Sequence, residues 1–282
     1  MPVGEIALTG PMRQNLISIQ KTTESMGVTQ DRLATGKKVN TALDDPVNFF
    51  AAQGYLQRAS DLAGRKDGMF EGIQITKAAD AGIIAMTSLI TQAKGIANAA
   101  LATSNTDSRA SYATQFNQLM SQITSIAADA SYKGTNLLNN NTLTVKFNED
   151  GTASLAVNGF IATTLLNLTL GFVGGTLAGG SIASWGSTND AGIQTALAAI
   201  NTATDYLRTK SKDLATNLNI ISTRSDFTKD LITTLKTGAD GLTLADMNEE
   251  GANMLMLQTR QSLGITSLSL ASQAAQAVLR LF

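Results

Sequence analysis

Cysteine and histidine are both absent from this 282-residue sequence. Their absence excludes Cys/His zinc sites, thiol nucleophiles and Ser-His-Asp catalysis. It leaves the compartment open, because a cysteine-free chain suits a reducing cytosol and an exported protein alike. Proline occurs only at Pro2, Pro11 and Pro46, and aromatic residues are scarce. Long proline-free stretches rich in Ala, Leu, Gln, Ser and Thr favour long helices. Neither sign of charge dominates, with 21 basic and 22 acidic residues. There is thus no electrostatic reason to expect nucleic acid or an anionic membrane as partner. The most apolar segment, FIATTLLNLTLGFVGG from Phe160, is too short to span a bilayer and carries Thr and Asn. The stretch MPVGEIALTGPMRQNLISIQ has no basic region leading into an apolar one, so no cleavable secretory signal is expected. Departure from the cytoplasm would need a dedicated route.

What is present is helical periodicity. Thr9 and Gly10 precede Pro11, which suits a first helical turn. Met12, Leu16, Ile19, Thr23, Met26, Gln30 and Leu33 then alternate steps of four and three. That is the spacing of a coiled-coil seam, weakened by its two polar members. Gly36 is placed as a C-cap, and 35–45 reads as an extended linker. Asp45 as N-cap and Pro46 at the first helical position restart a helix, which the pattern carries to about Ala102. Its later part sets Ile83, Met86, Ile90, Ala93, Ala97 and Ala100 on one seam. A turn at TSNTDS leads into a further helix, ending near Ala130.

The middle differs. Leu143–Gly159 reads as a β-hairpin, with TVKF and SLAV as strands and Glu-Asp-Gly as the turn. Phe160–Gly186 reads as short strands and loops. Its GFVGGTLAGG lacks the Gly-Lys-Ser/Thr ending of a phosphate cradle. Beyond it, Ile193, Leu197, Ile200, Thr204, Leu207, Ser211, Leu214, Leu218, Ile221, Ser225, Thr228, Ile232 and Leu235 keep the four-three alternation without a break. This predicts one long helix packed along its length. KTGADGLT, with two glycines, is expected to end it, and Thr243 to cap a last helix running to Leu281.

That last helix carries Leu268, Ala271, Ala275, Val278 and Phe282 on one face. From Gln258 on, its only charges are Arg260 and Arg280. One neighbouring helix covers roughly a third of its surface. The first helix is the natural neighbour, and further copies of the protein the natural remaining cover. The fold class expected is mainly α: a long antiparallel helical bundle or coiled coil built from both chain ends, with a small β-rich insert in the middle. Adjacent Asp44 and Asp45 could suggest a metal or acid–base pair, but no partner motif accompanies them, and capping is the simpler role.

Four segments together resemble bacterial flagellin. QDRLATGKKVNTALDDP is similar to the family's N-terminal signature, and FEGIQITKAADAGI to its Asp-Gly-Ile segment. SYKGTNLL resembles the motif before its variable region. LTLADMNEEGANMLMLQTRQSLGITSLSLASQAAQAVLRLF resembles its C-terminal helix. Pro46 departs from the pattern, which more often has small residues there. The short middle suggests a compact, alphaproteobacterial type.

The resemblance implies a structural subunit of the flagellar filament, not an enzyme, with no cofactor. It implies an inner core of 1–34 and 246–282, linkers at 35–45 and 236–245, an outer-tube domain of 46–140 and 190–235, and a variable surface region of 141–189. Met12, Leu16, Ile19, Met26, Leu33, Leu268, Ala271, Ala275, Val278 and Phe282 would then be polymer and core-packing positions. Ile83, Met86, Ile90, Ile193, Leu197, Ile200, Leu207, Leu214, Leu218, Ile221, Ile232 and Leu235 would form a seam within one molecule. Asp44, Asp45 and Pro46 would cap the linker. The implied partners are the protein itself, sibling flagellins, an export chaperone and a cap protein, with neither nucleic acid nor membrane. Localisation would be extracellular, in the flagellum, after type III export. The alternative in the same superfamily is a hook–filament junction protein.

Overall fold

The computed structural model describes residues 10–163, 172–173, 176–177, 185 and 190–279. Among the described residues five helices and four short strands appear in the order α1 (Gly10–Thr35), α2 (Pro46–Leu101), α3 (Thr106–Asp129), β1 (Thr142–Lys146), β2 (Ser154–Asn158), β3 (Phe172–Val173), β4 (Thr176–Leu177), α4 (Ala191–Thr243) and α5 (Met247–Leu279). The protein is mainly helical, with helices at both ends and a small β insert between them. The contacts group it into two compact units. One takes the residues up to Gln57 with those from Thr234 on; the other is Arg58–Thr233. Both α2 and α4 contribute to each.

In the larger unit, α2, α3 and α4 bury their apolar seams in one cluster. Ala79, Ile83, Met86, Ile90, Ala93, Ala97 and Ala100 from α2 meet Ala113, Phe116, Met120, Ile123 and Ala127 from α3. Along α4, Ile193, Ile200, Leu207, Leu214 and Ile221 are buried at strict seven-residue spacing. The alternate positions Leu197, Leu218 and Ile232 are only half-buried. At its start α4 also buries Ala196, Ala199 and Ala203, a wider arc than a two-helix seam provides. One neighbour covers a stripe and two cover an arc, which is why burial broadens there.

Polar seam positions find partners at hand. Thr204 and Thr228 donate to the carbonyls of Ile200 and Arg224 one turn back, and Ser211 donates to Asp80 at 2.8 Å. Such back-bonding satisfies a hydroxyl inside a helix without a tertiary partner. By length and composition, α2 also holds a stretch apolar enough to cross a bilayer, and 39% of that stretch is buried. No such stretch was expected from the sequence, because its apolarity is spread over alanines. The seam from Ala79 to Ala100 turns part of it into the core.

The hairpin lies against α2. β1 and β2 pair antiparallel, with Leu143 opposite Val157 and Val145 opposite Leu155. Val145 and Val157 face inward. A Cβ on Gly72 would lie 2.7 Å from Val145, and one on Gly82 2.7 Å from Leu138, so glycine lets these segments approach the helix. The turn at Asn148–Gly151 is pinned by Glu149, which accepts from Arg58 at 2.6 Å through its carboxylate and from Arg65 at 3.1 Å through its carbonyl. Trp185 is buried, with its ring 5.0 Å from Phe116. Much of Phe160–Gly186 lies outside the described residues.

Asn136 joins α3 to the hairpin. Its Nδ2 donates to the carbonyls of Ala127 and Ala128 at 2.8 and 2.9 Å, and its Oδ1 accepts from the Leu138 amide at 2.8 Å. It therefore satisfies the last turn of α3, where carbonyls have no helical partner.

In the smaller unit the structure corrects two readings. Gly238 and Gly241 do not end the long helix; α4 continues to Thr243. Each glycine costs only about 1 kcal/mol in a helix. The final turn is held from outside: Lys38 and Val39 donate backbone amides to the Thr243 carbonyl at 2.8 and 3.2 Å. Much of the expected linker 236–245 is therefore helix. Nor does Thr243 cap the last helix. Asp246 does, accepting from the amides of Asn248 and Glu249 at 2.8 and 3.3 Å, while Thr243 is still inside the preceding helix.

Replacing Asn136 by alanine leaves the buried Ala127 carbonyl and the buried Leu138 amide, and the part-buried Ala128 carbonyl, without these partners. Each unmade buried bond costs about 1–3 kcal/mol. We expect Asn136→Ala to lower the midpoint of urea unfolding, and near-UV dichroism of the single tryptophan to report it. An unchanged midpoint would show that water replaces the amide fully.

Candidate functional site

The helices at the two ends, α1 and α5, pack antiparallel within the smaller unit. Asn15 Nδ2 donates to the Gly264 carbonyl at 3.3 Å, Gln261 to the Thr23 hydroxyl at 3.3 Å, and Arg32 bridges Glu250 at 2.8 Å. The pairing order runs in opposite directions along the two helices. The two helices approach closely at Gly264, where a Cβ would lie 2.9 Å from Ile19.

The seam differs in part from the expected one. Met12 is buried, and Ile19, Met26 and Leu33 are half-buried, as that register requires. The intervening positions are Asn15, Thr22 and Thr29 instead of Leu16, Thr23 and Gln30, which are exposed. The apolar pattern alone favours Leu16, but Asn15 is the side chain that faces α5, where it donates to the Gly264 carbonyl. Leu16 is left 36% exposed beside exposed Ile17.

On α5 the side toward α1 carries Glu250, Met254, Leu257, Gln261, Gly264 and Leu268, in steps of four and three. Leu268, Ala271 and Ala275 are half-buried and continue that side. Phe282 and the Val278 side chain lie outside the described residues. The opposite side is apolar as well. Leu255, Leu263 and Leu270 are 67%, 65% and 61% exposed, with Met256 among them. Sequence reading missed this second stripe, although its seven- and eight-residue spacing is legible. Between Gly251 and Leu279 the only charge is Arg260.

Between α1 and α2 the chain turns on two carboxylates. Asp44 accepts from the amides of Thr41 and Asn40 at 2.8 and 2.9 Å. Asp45 accepts from the Asn48 amide at 3.0 Å and its side chain at 2.7 Å, with Pro46 opening the helix. Both carboxyls are held below the usual range, Asp44 by the Thr41 and Asn40 amides and Asp45 chiefly by the Asn48 amide. Apolar side chains follow on the surface: Leu43 is 94% exposed, and Val47 and Phe50 share its outward position. Residues 36–39 cross 243–245, with Ala245 donating to the Gly36 carbonyl at 3.0 Å. The backbone of Gly36, at φ +69°, permits the helix exit there.

A carboxyl held low when folded contributes stability above its unfolded value, ordinarily near 3.8. That contribution is lost as pH falls through the lower folded value. We therefore expect the amides of Thr41 and Asn48 to keep their protection from exchange at neutral pH and to lose it under acid, below the usual carboxylate range. Asp44→Asn should remove the pH dependence at Thr41 while leaving that at Asn48.

Residues 9–142 match the family model described as the bacterial flagellin N-terminal helical region. Flagellin FljM of Caulobacter vibrioides is 30% identical over 270 residues, covering 95% of this chain and 94% of the relative. Flagellin FljN of the same organism is 31% identical with the same coverage. A flagellin of Brucella melitensis is 27% identical over 273 residues, again covering 95% and 94%. A crystal structure of Bacillus cereus flagellin superposes with a TM-score of 0.49 at 14% identity, covering 57% of this chain and 88% of that one.

Proposed function

Because the chain belongs to the bacterial flagellin family, we propose that it polymerises into the extracellular filament of the bacterial flagellum through the helices at its two ends. One observation carries the reading: α5 is apolar on two opposite sides, and α1 covers only one of them. Contact between different patches on successive copies is heterologous, and such contact builds open helical polymers when it does not close into a ring.

The magnitudes support several neighbours per copy. Burying a large apolar side chain contributes roughly 1.5–3 kcal/mol. Leu255, Met256, Leu263 and Leu270 are already partly covered, so burying what remains of them could supply roughly 4–7 kcal/mol on that scale. Association of two bodies costs an estimated 4–15 kcal/mol in lost freedom. One such contact is marginal, and repeated contacts along a polymer are not.

In this reading, 1–34 and 246–282 form the inner core, and Met12, Leu16, Ile19, Met26, Leu33, Leu268, Ala271, Ala275, Val278 and Phe282 share its packing. The helices of 46–140 and 190–235 form the outer tube, and 141–189 the surface. The protein acts without chemistry of its own. It leaves the cell through the flagellar type III apparatus, with an export chaperone and a cap protein as transient partners.

Seeded growth tests this. Purified monomer is added to filament fragments and length is followed by negative-stain microscopy, beside Leu263→Asp and a chain lacking 267–282. The intact chain should elongate seeds. The truncated chain should not, and Leu263→Asp should raise the monomer concentration needed for growth at least tenfold. Failure of the intact chain to add to any seed would overturn the filament reading and move the junction protein ahead.

A further inference from the structure

Beside the foot of α5 a pocket of about 310 Å³ is lined by five carboxylates, those of Asp44, Asp45, Asp246, Glu249 and Glu250, against two cations, Arg32 and Lys38. Most of these groups already have work. Asp44, Asp45 and Asp246 hold backbone amides at turns and helix starts. Lys38 donates to the Gly241 carbonyl, and Arg32 to Glu250 Oε1. Two acceptors are left over. Glu249 is exposed, and its carboxylate makes no bond among the described residues. Glu250 is the sharper case: its side chain is only 9% exposed, yet its Oε2 is buried with no hydrogen-bond partner among the described residues. An unsatisfied buried carboxylate oxygen is costly, and a native structure normally gives it a donor. Among the described residues no three carboxylates converge as a divalent ion requires. The donor that fits is a side-chain cation.

Arg260 is a cation with the opposite problem. It is exposed and makes neither ion pair nor hydrogen bond among the described residues. Met256 and Leu263 lie one turn to either side of it, on the apolar side of α5 that the filament reading covers with a neighbouring copy. Covering that side without a counter-charge would strand a guanidinium in apolar surroundings. Arg260 and Glu249 are eleven residues apart, three helical turns, so they point to the same side of α5. At 1.5 Å per residue they are separated by about 16 Å along the axis.

We propose that Arg260 of one copy enters the carboxylate pocket of the next, donating to Glu249 and to the buried Oε2 of Glu250. Two copies in the same orientation, offset along α5 by about those three turns, bring the pair together. The same offset repeats at every addition, so each copy gives one guanidinium and receives one. The pair would set axial register, which apolar stripes of leucine and methionine leave loosely defined. The inference rests on the filament reading, because it requires neighbours in one orientation.

The test uses the intact chain and full-length variants in seeded growth. Arg260→Gln should raise the monomer concentration needed for elongation about tenfold or more, since removing one member of a buried pair strands the other. Arg260→Lys should keep growth. Filaments of Arg260→Lys assembled from a mixture of ¹⁴N- and ¹⁵N-labelled monomers, treated with a zero-length carbodiimide, should yield a mixed-isotope peptide joining position 260 to Glu249 or Glu250. If the intact chain elongates seeds, Arg260→Gln grows as well, and no such peptide forms, the pairing is overturned while the filament reading stands. If the intact chain adds to no seed, the filament reading fails and the pairing falls with it.

Discussion

A helix packed against one neighbour hides one side, and α5 is apolar on two. That mismatch governs the smaller unit. In the larger unit the helices have several neighbours each, and their apolar arcs match the cover available. Ile83, Met86, Ile90, Ile193, Ile200 and Leu207 are buried because α2, α3 and α4 surround one axis together. Leu255, Leu263 and Leu270 are the same kind of residue at the same kind of spacing, but they face solvent. The difference lies in the number of neighbours, not in the pattern.

The pairing of α1 with α5 is itself lightly built. Its seam includes Asn15, Thr22, Thr29, Gln261 and Gly264 among Met12, Ile19, Met26, Leu257 and Leu268. Polar seam positions specify register at some loss of stability. The Asn15–Gly264 contact and the Arg32–Glu250 bridge fix how the two helices slide, while the buried apolar area between them is modest. Arg32 is 40% exposed, so solvent weakens the bridge, and its worth lies more in placement than in strength. By contrast, Asn136 and the Thr back-bonds of α4 satisfy polar groups inside a large core, where an unmade bond costs most.

Much of this was legible in the sequence. Strict alternation of fours and threes announced α4, and Pro46 with Asp45 announced the start of α2. The hairpin followed from TVKF, SLAV and the glycine between them. Misreadings came where tertiary contacts outweigh local preference. Gly238 and Gly241 read as a break because their cost is local and visible; the amides of Lys38 and Val39 that hold the helix end come from two hundred residues away. Three of the seven α1 seam positions read one residue off because Leu16 is more apolar than Asn15, and a pattern cannot see the carbonyl that Gly264 exposes. The second stripe of α5 was hidden by the first. When apolar residues ring a helix, no single face stands out, and only the placed neighbour shows which side remains uncovered. The pocket at Glu250 had no sequence signal, since its carboxylates come from 44–45 and 246–250 and meet only after folding.

An uncovered apolar side has a kinetic consequence. A lone copy presents the outer stripe of α5 to water in full, and a pair of copies still presents one stripe for each end. In the filament proposed above, only copies within a longer array would have their stripes covered, so the free energy gained per addition would rise until a complete set of neighbours exists. On that proposal, growth from an existing end would proceed at each step with full cover, while starting a new array would pass through species that bear the cost of association without it. The near-absence of charge on α5 beyond Glu250 removes the repulsion that would otherwise oppose bringing many like helices together. On the filament proposal, such a chain would stay monomeric at concentrations where it joins an existing end.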